Sequence, residues 1–306
     1  MRIGIFLDPG GSDDPLVHLV AEARRAAADG FPSVWVPHIF GVDSLIALAI
    51  VGSEVPGLEL GTAVIPTYPR HPLLMAQQAL TTQLATGGRL VLGIGLSHRI
   101  VIEGMFGYSY ERPAVHMREY LQALLPALRQ ETVDVDGDTL RAHGTLRIPG
   151  ATPCPVLLGA LAPRMLRLAG GVADGTVTWM TGPATVAEYI VPALTEAATK
   201  AGRPAPRVVV GLPVCVTDDV DAVRSRGDRV FAMYGQLPAY RAMLDREGLA
   251  GPGEVIVAGD EAAVRDQLEA LRAGGATDLV ASPFGSAEET ARTRTLLAAW
   301  VGLRTT

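Results

Sequence analysis

The stretch LGTAVIPTYPRHPLLMAQQALTTQLATGGRLVLGIGLSH, residues 60–98, decides the fold. It contains most of two apolar runs of strand length, residues 58–65 and 89–94, each bounded by proline and glycine. Between the runs, apolar residues with helical spacing begin at Pro72 and stop at Gly87-Gly88. A strand, a helix and a strand with short connections predict a βαβ unit, whose two strands lie parallel.

Unusual residues follow at the C-terminal end of each of these two strands. The first strand ends in Thr62-Ala63-Val64 and then Pro66, and the second ends in Gly95-Leu96-Ser97-His98. In parallel α/β architectures this edge is where ligands bind. The sequence therefore predicts a ligand site at the ends of these strands.

The remainder of the chain continues the alternation of strand and helix. Strands are predicted over residues 2–7, 33–36, 58–65, 89–94, 155–159, 174–179, 207–214 and 278–281. Helices are predicted over residues 15–29, 43–53, 72–86, 111–129, 163–171, 183–200, 220–234 and 261–273. Residues 8–12 are predicted to form a loop, residues 132–148 a hairpin around Asp136-Gly137, and residues 236–253 an insertion. Eight strand–helix units without a composition break predict an α/β fold, a single (β/α)8 TIM barrel over residues 1–306 with insertions.

Composition and charge exclude several classes of function. The chain is 48% hydrophobic without an apolar run near 18 residues, which predicts a large core and no membrane segment. A strand begins at once after Met1, so we expect no signal peptide. Cys154 and Cys215 lack metal or redox spacing, which favours a reducing cytoplasm. The net charge of −6 and the absence of a basic run argue against a nucleic-acid partner.

Four short segments in this order resemble a known family: LGTAV at 60–64, RHP at 70–72, GGRL at 87–90 and LGIG at 92–95. The chain resembles the luciferase-like monooxygenase superfamily of TIM barrels, which bind flavin mononucleotide (FMN) or the deazaflavin coenzyme F420. It looks most similar to the deazaflavin branch. The resemblance implies an oxidoreductase that transfers a hydride between coenzyme F420 and a small organic substrate, and it implies a homodimer.

The resemblance also implies roles for residues at the strand ends. Related barrels place a non-prolyl cis peptide at the position of Ala63-Val64, behind the central ring of the flavin; the alternative is an ordinary trans strand. His38 stands where the closest relatives carry an aspartate, and His98 where sugar-phosphate-oxidising relatives carry a glutamate. Both histidines are therefore predicted to be catalytic proton carriers. The alternatives are a structural histidine at position 38 and a His98 that packs against the helix after its strand. Ser97 is predicted to hydrogen-bond the cofactor.

Two strand-to-helix turns are predicted to hold the anionic tail of the cofactor. The turn after the fifth strand contains Gly159, Ala160 and Arg164, and its amides and helix N-terminus are suited to an anion. The turn after the sixth strand repeats this arrangement with Trp179, Thr181 and Gly182. In the family these two turns hold the phosphate and the sugar. A solvated surface arginine is the alternative for Arg164.

Other motifs in the sequence fail on inspection. The segment GIGLSH at 93–98 lacks the third glycine of a dinucleotide fingerprint, and Thr139 stands where a calcium loop through Asp134, Asp136 and Asp138 needs glycine. No metal site is predicted. Three functions are therefore weighed: a coenzyme F420-dependent oxidoreductase, an FMN-dependent luciferase-like monooxygenase or reductase, and a non-catalytic flavin-binding or deazaflavin-binding barrel.

Overall fold

A closed barrel of parallel strands forms the centre of the molecule in the computed structural model, which describes residues 1–8 and 11–302. The strands are β1 Arg2–Phe6, β2 Ser33–Val36, β3 Glu59–Thr62, β4 Ile65–Pro66, β5 Leu90–Gly95, β6 Val133–Asp136, β7 Arg141–Gly144, β8 Val156–Gly159, β9 Gly175–Trp179, β10 Arg207–Val216, β11 Val257–Gly259 and β12 Asp278–Pro283. The barrel order is β1, β2, β3 with β4, β5, β8, β9, β10 and β12, and β12 pairs back onto β1. Every pairing in this sheet is parallel. The predicted (β/α)8 barrel is confirmed.

Helices surround this barrel on the outside. They are α1 Pro15–Ala28, α2 Ser44–Glu54, α3 Pro72–Ala85, α4 Arg99–Gly104, α5 Pro113–Leu128, α6 Pro163–Gly171, α7 Pro183–Thr185, α8 Val191–Lys200, α9 Val220–Val230, α10 Ala232–Gln236, α11 Pro238–Glu247, α12 Glu261–Ala273 and α13 Ala287–Gly302. A π-helical turn, Val186–Ile190, joins α7 to α8, so helical backbone continues from Pro183 to Lys200. Polar side chains start several helices; for example, the Asp43 carboxylate accepts the Leu45 and Ile46 amides at the start of α2.

The structure corrects several predicted boundaries. The predicted strand 58–65 is divided into β3 and β4, because a cis peptide bond joins Ala63 to Val64 between them. Helix α4, which follows His98, was not predicted, and the predicted insertion 236–253 contains α11. Strand β11, which pairs with β10, and the C-terminal helix α13 were not predicted. Of the predicted loop 8–12, Pro9 and Gly10 lie outside the described residues.

The predicted hairpin is confirmed as the antiparallel pair β6 and β7. Its turn is fixed by Glu119 of α5, a buried carboxylate that accepts the backbone amides of Asp138 and Thr139 and the Thr139 hydroxyl. These three donors and nearby Arg118 outweigh the effect of burial and hold the pKa of Glu119 below its usual range. The hairpin is thereby attached to the helical layer.

The barrel interior is filled by large side chains facing glycines. Trp35 on β2 occupies the space that a β-carbon at Gly61 on β3 would enter, and Ser33 occupies that of a β-carbon at Gly4 on β1. At the N-terminal end, the Arg207 guanidinium lies 5.7 Å from the Trp35 ring and donates to Asp278 and Glu59 at 2.7 and 2.6 Å. This end of the barrel is therefore closed by an ion-pair network above a buried indole.

Candidate active site

An apolar floor lies at the C-terminal mouth of the barrel. The cis peptide places Ala63 and Val64, both half-buried, on top of the interior cluster that contains Trp35. The Val64 side chain fits between glycines: a β-carbon at Gly95 would lie 2.6 Å from Val64 Cγ2, and one at Gly159 would lie 3.2 Å away. Because β5 and β8 both end in glycine, neither strand end places a side chain beside Val64, which leaves room for the face of a planar ring.

Aromatic side chains cover the opposite side of the mouth. Phe6 at the end of β1 contacts Trp179 at the end of β9 edge-to-face, with ring centroids 5.3 Å apart. The helices α9–α11, residues 220–247, follow β10 and are called the insertion from here on. They add Phe231 and Tyr234, whose rings lie 6.0 and 6.3 Å from Trp179, and Tyr240, whose ring lies 4.8 Å from Tyr234. Sequence reasoning missed these three insertion residues. Their only signal was a concentration of aromatic residues in an otherwise polar helical segment.

His98 lies between these two sides. Ser97 before it has a positive φ of 59°, and its carbonyl accepts the Tyr110 hydroxyl at 3.1 Å. The His98 ring lies 5.8 Å from Tyr240, and among the described residues no hydrogen bond engages its two ring nitrogens. Burial lowers the pKa of His98 below its ordinary value of 6.5. A neutral imidazole with both nitrogens available can accept and return a proton.

His38 is held very differently at the end of β2. Its Nδ1 lies 3.0 Å from the Ser44 hydroxyl, and Arg70 Nη1 lies 3.3 Å from its Nε2. Arg70 in turn forms an ion pair with Asp43. Burial and the Arg70 charge lower the pKa of His38, and Asp43 opposes them. Both ring nitrogens of His38 are therefore engaged by protein groups, and sequence reasoning missed all three of these partners.

A second group of aromatic residues follows β4, and it was also missed by sequence reasoning. The Tyr68 ring stacks on His116 with centroids 3.9 Å apart, and His116 Nε2 lies 3.1 Å from the Thr67 hydroxyl. Burial lowers the pKa of His116 to about 4, although Glu119 acts in the opposite direction. Burial, with smaller contributions from its neighbours, raises the pKa of Tyr68 to about 12. Both rings are therefore uncharged at neutral pH and brace the glycine-rich side of the mouth.

The first predicted anion turn, residues 159–164, leads from β8 into α6. Gly159 and Ala160 are at most half-exposed beside the floor, and Arg164 is exposed in the first turn of the helix. The residue before α6 is Ala162, whose side chain cannot cap the helix, and among the described residues no other side chain accepts a hydrogen bond from its first amides. The backbone amides at this helix terminus are therefore available to an anion.

The second predicted anion turn, residues 179–183, leads from β9 into α7, and a carboxylate of the protein already binds the amides that follow it. The Glu247 carboxylate accepts the amides of Ala184 and Thr185 at 3.0 and 2.8 Å and the Thr185 hydroxyl at 2.6 Å. Thr181 is buried, and its hydroxyl donates to the Trp179 carbonyl at 3.2 Å. A β-carbon at Gly182 would overlap the Glu247 carboxylate. The two turns, equivalent in sequence, therefore differ in the structure.

Metal chemistry has no obvious place in the described part of the chain. Within residues 1–8 and 11–302, no three histidine, cysteine, aspartate or glutamate side chains form a group that could hold a metal ion. No helix in these residues combines the length and the apolar character that a membrane span requires.

Comparison with known proteins identifies the family. The sequence model of the luciferase-like monooxygenase family matches residues 1–298. The chain belongs to this family. It is similar to the 5,10-methylenetetrahydromethanopterin reductase of Methanolobus tindarius, with 28% identity over 286 residues that cover 93% of this chain and 86% of the relative.

Solved structures of luciferase-like proteins share the barrel. The coenzyme F420-dependent tetrahydromethanopterin reductase from Methanopyrus kandleri aligns with a TM-score of 0.80 and 23% identity, over 97% of each chain. The oxygenating constituent of 3,6-diketocamphane monooxygenase from Pseudomonas putida, solved in complex with FMN, aligns with a TM-score of 0.77 and 16% identity, over 99% of this chain and 98% of that one. The predicted family, fold and enzyme class, a luciferase-like oxidoreductase, are confirmed.

The luciferase-like barrel brings together some of the predicted site residues and separates others. Ala63, Val64 and Gly159 meet at the floor, and Ser97 and His98 lie at its edge. The expected cis peptide is present. No hydrogen bond or ring contact joins His38 to His98 among the described residues. The roles of the individual residues in binding and catalysis stay predictions.

Proposed function

We propose that this chain is a coenzyme F420-dependent oxidoreductase that acts on a small organic substrate. The apolar floor at the barrel mouth is the observation that carries the proposal, because the Val64 side chain set between Gly95 and Gly159 leaves room for the face of a planar ring. The similarity to relatives that are named as F420-dependent supports the deazaflavin over other planar rings. When bound, the coenzyme supplies hydride transfer at the C5 carbon of its ring.

The residues of the floor and of the α6 turn would hold the cofactor. Ala63 and Val64 would support the ring, while Ser97 and Trp179 would limit its edges. Gly159, Ala160 and the α6 terminus would receive the anionic tail, with Arg164 as a cation within its first turn. Thr181 and Gly182 were predicted to share this task, but the amides that follow them are bound to Glu247, so we infer a different role for that turn.

His98 is the residue that we expect to move protons. Its ring is half-buried, its pKa is lowered by burial, and its nitrogens are free of other described residues. His38 shares the lowered pKa, but its nitrogens contact Arg70 and Ser44. We therefore propose that His98 carries the proton and that His38 orients groups at the end of β2.

Equilibrium binding tests the proposed cofactor. Purified protein is titrated with coenzyme F420 and, separately, with FMN, and the fluorescence of each ligand is followed. We expect tighter binding of coenzyme F420. Tighter binding of FMN, together with oxygen uptake when reduced FMN is supplied, would instead support the FMN-dependent monooxygenase, which the shared barrel of the FMN-bound neighbour favours.

We also propose that the chain forms a homodimer through helices α1–α3. Helix α2 has no charged residue before Glu54, and apolar side chains point outward from three consecutive helices: Val17, Ile46 and Leu74 are 64%, 60% and 55% exposed. A helix that is apolar on all sides is normally covered. Light scattering should give a dimer for the natural chain and a monomer for Ile46→Lys. A monomeric natural chain would contradict this proposal.

A reducing compartment such as the cytoplasm suits the cysteines. Cys154 and Cys215 are both buried and unpaired, and burial raises the pKa of each thiol to about 12. We therefore propose a cytoplasmic location, where such thiols stay reduced.

A further inference from the structure

A carboxylate occupies the start of the helical segment that follows β9, at the position where the sequence predicts a phosphate. The Glu247 oxygens accept three hydrogen bonds, two from backbone amides in the first helical turn and one from the Thr185 hydroxyl. Thr185 is buried, with 2% of its surface exposed. The amides at the start of a helix prefer an anion, and here the chain supplies that anion itself.

Glu247 belongs to a distant part of the chain, the last residue of α11 in the insertion after β10. Gly248 follows in the left-handed conformation with a φ of 75°, and its neighbour Leu249 donates back to Leu244 at 2.9 Å. Arg241 donates to the carbonyls of Leu249 and Ala250 at 2.5 and 2.8 Å. The end of α11 is therefore fixed locally, which presents the Glu247 side chain in one direction.

The residue before Glu247 makes a second connection. The Arg246 guanidinium lies 3.9 Å from the centre of the Tyr189 ring, a cation–π distance. The Tyr189 hydroxyl donates to the Leu161 carbonyl at 3.1 Å, inside the turn that leads into α6. Glu247 thus attaches the insertion to the turn before α7 through its carboxylate. Arg246 attaches it to the turn before α6 through the ring of Tyr189.

We propose that Glu247 is a positioning residue that takes the place of a ligand phosphate at the α7 turn and thereby anchors the aromatic insertion over the barrel mouth. Gly182 leaves the space for this carboxylate, since a β-carbon there would overlap it. The anchor holds α10 and α11, which carry Tyr234 and Tyr240, against Trp179 and His98. A consequence, which rests on the proposed function, is that the cofactor phosphate binds at the α6 turn alone.

Removing the carboxylate should release the insertion and create an anion site. In Glu247→Ala, we expect amide hydrogen exchange across residues 232–247 to rise at least about tenfold, while exchange in the barrel strands stays as in the natural protein. Inorganic phosphate should then bind at the vacated amides and slow the exchange of Ala184 and Thr185, while residues 232–247 stay released. The natural protein should show no such response, because its amides are already engaged.

Matched variants separate anchoring from general destabilisation. Glu188→Ala removes an exposed glutamate from the same helical segment and should leave exchange unchanged. Adding Thr185→Val to Glu247→Ala should weaken the phosphate response, because one of the three donors is lost. Should Glu247→Ala not fold, Glu247→Gln retains an accepting oxygen without the charge and is expected to give an intermediate rise in exchange.

Two outcomes would overturn the proposal. Unchanged exchange across residues 232–247 in Glu247→Ala and Glu247→Gln would show that the carboxylate is no anchor. Exchange at Ala184 and Thr185 in Glu247→Ala that phosphate does not slow would show that the carboxylate does not stand in for an anion. Both measurements use the protein without cofactor, so either failure is distinct from a failure to bind coenzyme F420.

Discussion

At the mouth of the barrel, β5 and β8 end in Gly95 and Gly159, whereas β1 and β9 end in Phe6 and Trp179. The first pair of strands, with β3 and β4, forms what we call the glycine half; the second pair, with the insertion α9–α11, forms the aromatic half. All these strands point the same way and end at the same edge. The difference shows that one barrel can offer a low apolar floor on one side and an aromatic cover on the other, by side-chain volume alone.

The largest effect is expected where the two halves meet, at His98. Its backbone continues from the glycine half, and its ring faces Tyr240 of the aromatic half. A positioned general acid or base contributes about 10²–10⁴-fold, so His98→Ala should lower turnover by that factor with little change in cofactor affinity. Steady-state kinetics and a fluorescence titration measure the two quantities.

Two variants control this experiment. His98→Gln keeps a hydrogen-bonding side chain that does not titrate and should flatten the acid limb of the pH profile, which lies below pH 6.5 because burial lowers the pKa of His98. His143→Ala removes an exposed histidine of the hairpin and should leave turnover unchanged. Normal turnover in His98→Ala would remove His98 from the mechanism.

The stability of the glycine half should decrease in acid, because His116 packs on Tyr68 and lies within hydrogen-bond distance of Thr67 next to it. The folded-state pKa of His116, about 4, lies below the value of 6.5 for the unfolded chain, so the native state binds fewer protons. Stability should therefore fall as the pH drops from 6.5 to about 4, by at most about 3.5 kcal/mol at roughly 1.4 kcal/mol per pH unit. Chemical unfolding at several pH values, with His116→Phe as the variant that does not titrate, measures this contribution. Equal slopes in the two proteins would contradict it.

A larger side chain at Gly95 or Gly159 should reduce the difference in side-chain volume between the two halves. Gly95→Ala places a β-carbon 2.6 Å from Val64 Cγ2, and Gly159→Ala places one at 3.2 Å. Overpacking typically costs about 1–3 kcal/mol, so Gly95→Ala should weaken cofactor binding about tenfold or more, and Gly159→Ala should weaken it less. Titration of both variants with coenzyme F420 checks the order. Equal affinities for the natural protein and Gly95→Ala would argue that the ring does not lie on Val64.

The smallest effect is expected on β9, at the boundary between the halves. The Thr176 hydroxyl donates to the Leu158 carbonyl of β8 at 2.8 Å, whereas the buried Thr178 hydroxyl has no hydrogen-bond partner among the described residues. Thr176→Val should therefore cost about 1 kcal/mol of stability, and Thr178→Val should be neutral or slightly stabilising. Urea unfolding of the two variants compares them directly. A larger loss for Thr178→Val would mean that its hydroxyl is satisfied by water.

The sequence predicted the barrel well because its strands are short apolar runs between glycine and proline. The predicted strands 33–36 and 174–179 lie within one residue of β2 and β9. Periodicity could not show where β3 gives way to β4, since Ala63-Val64-Ile65 continues the run without a polar break. The cis peptide there was implied by the resemblance to the family and is present.

Within the candidate site, local sequence located the strand ends but not what reaches them from elsewhere. Residues 159–164 and 179–183 look alike as strand-to-helix turns. The difference between them comes from Glu247, more than sixty positions after Gly182, and no local pattern connects the two. His38 was likewise identified as a strand end, but its engagement by Arg70 depends on how the loops after β2 and β4 pack.

The network of Arg207, Glu59 and Asp278 at the far end of the barrel has a kinetic consequence. Because Trp35 and the apolar cluster around it fill the barrel between this network and Val64 in the described part of the chain, a molecule that reaches Val64 should arrive and leave through the mouth. A ring that rests on the floor is covered by the substrate that binds after it. Turnover should therefore follow a compulsory order, in which the coenzyme is first to associate and last to dissociate.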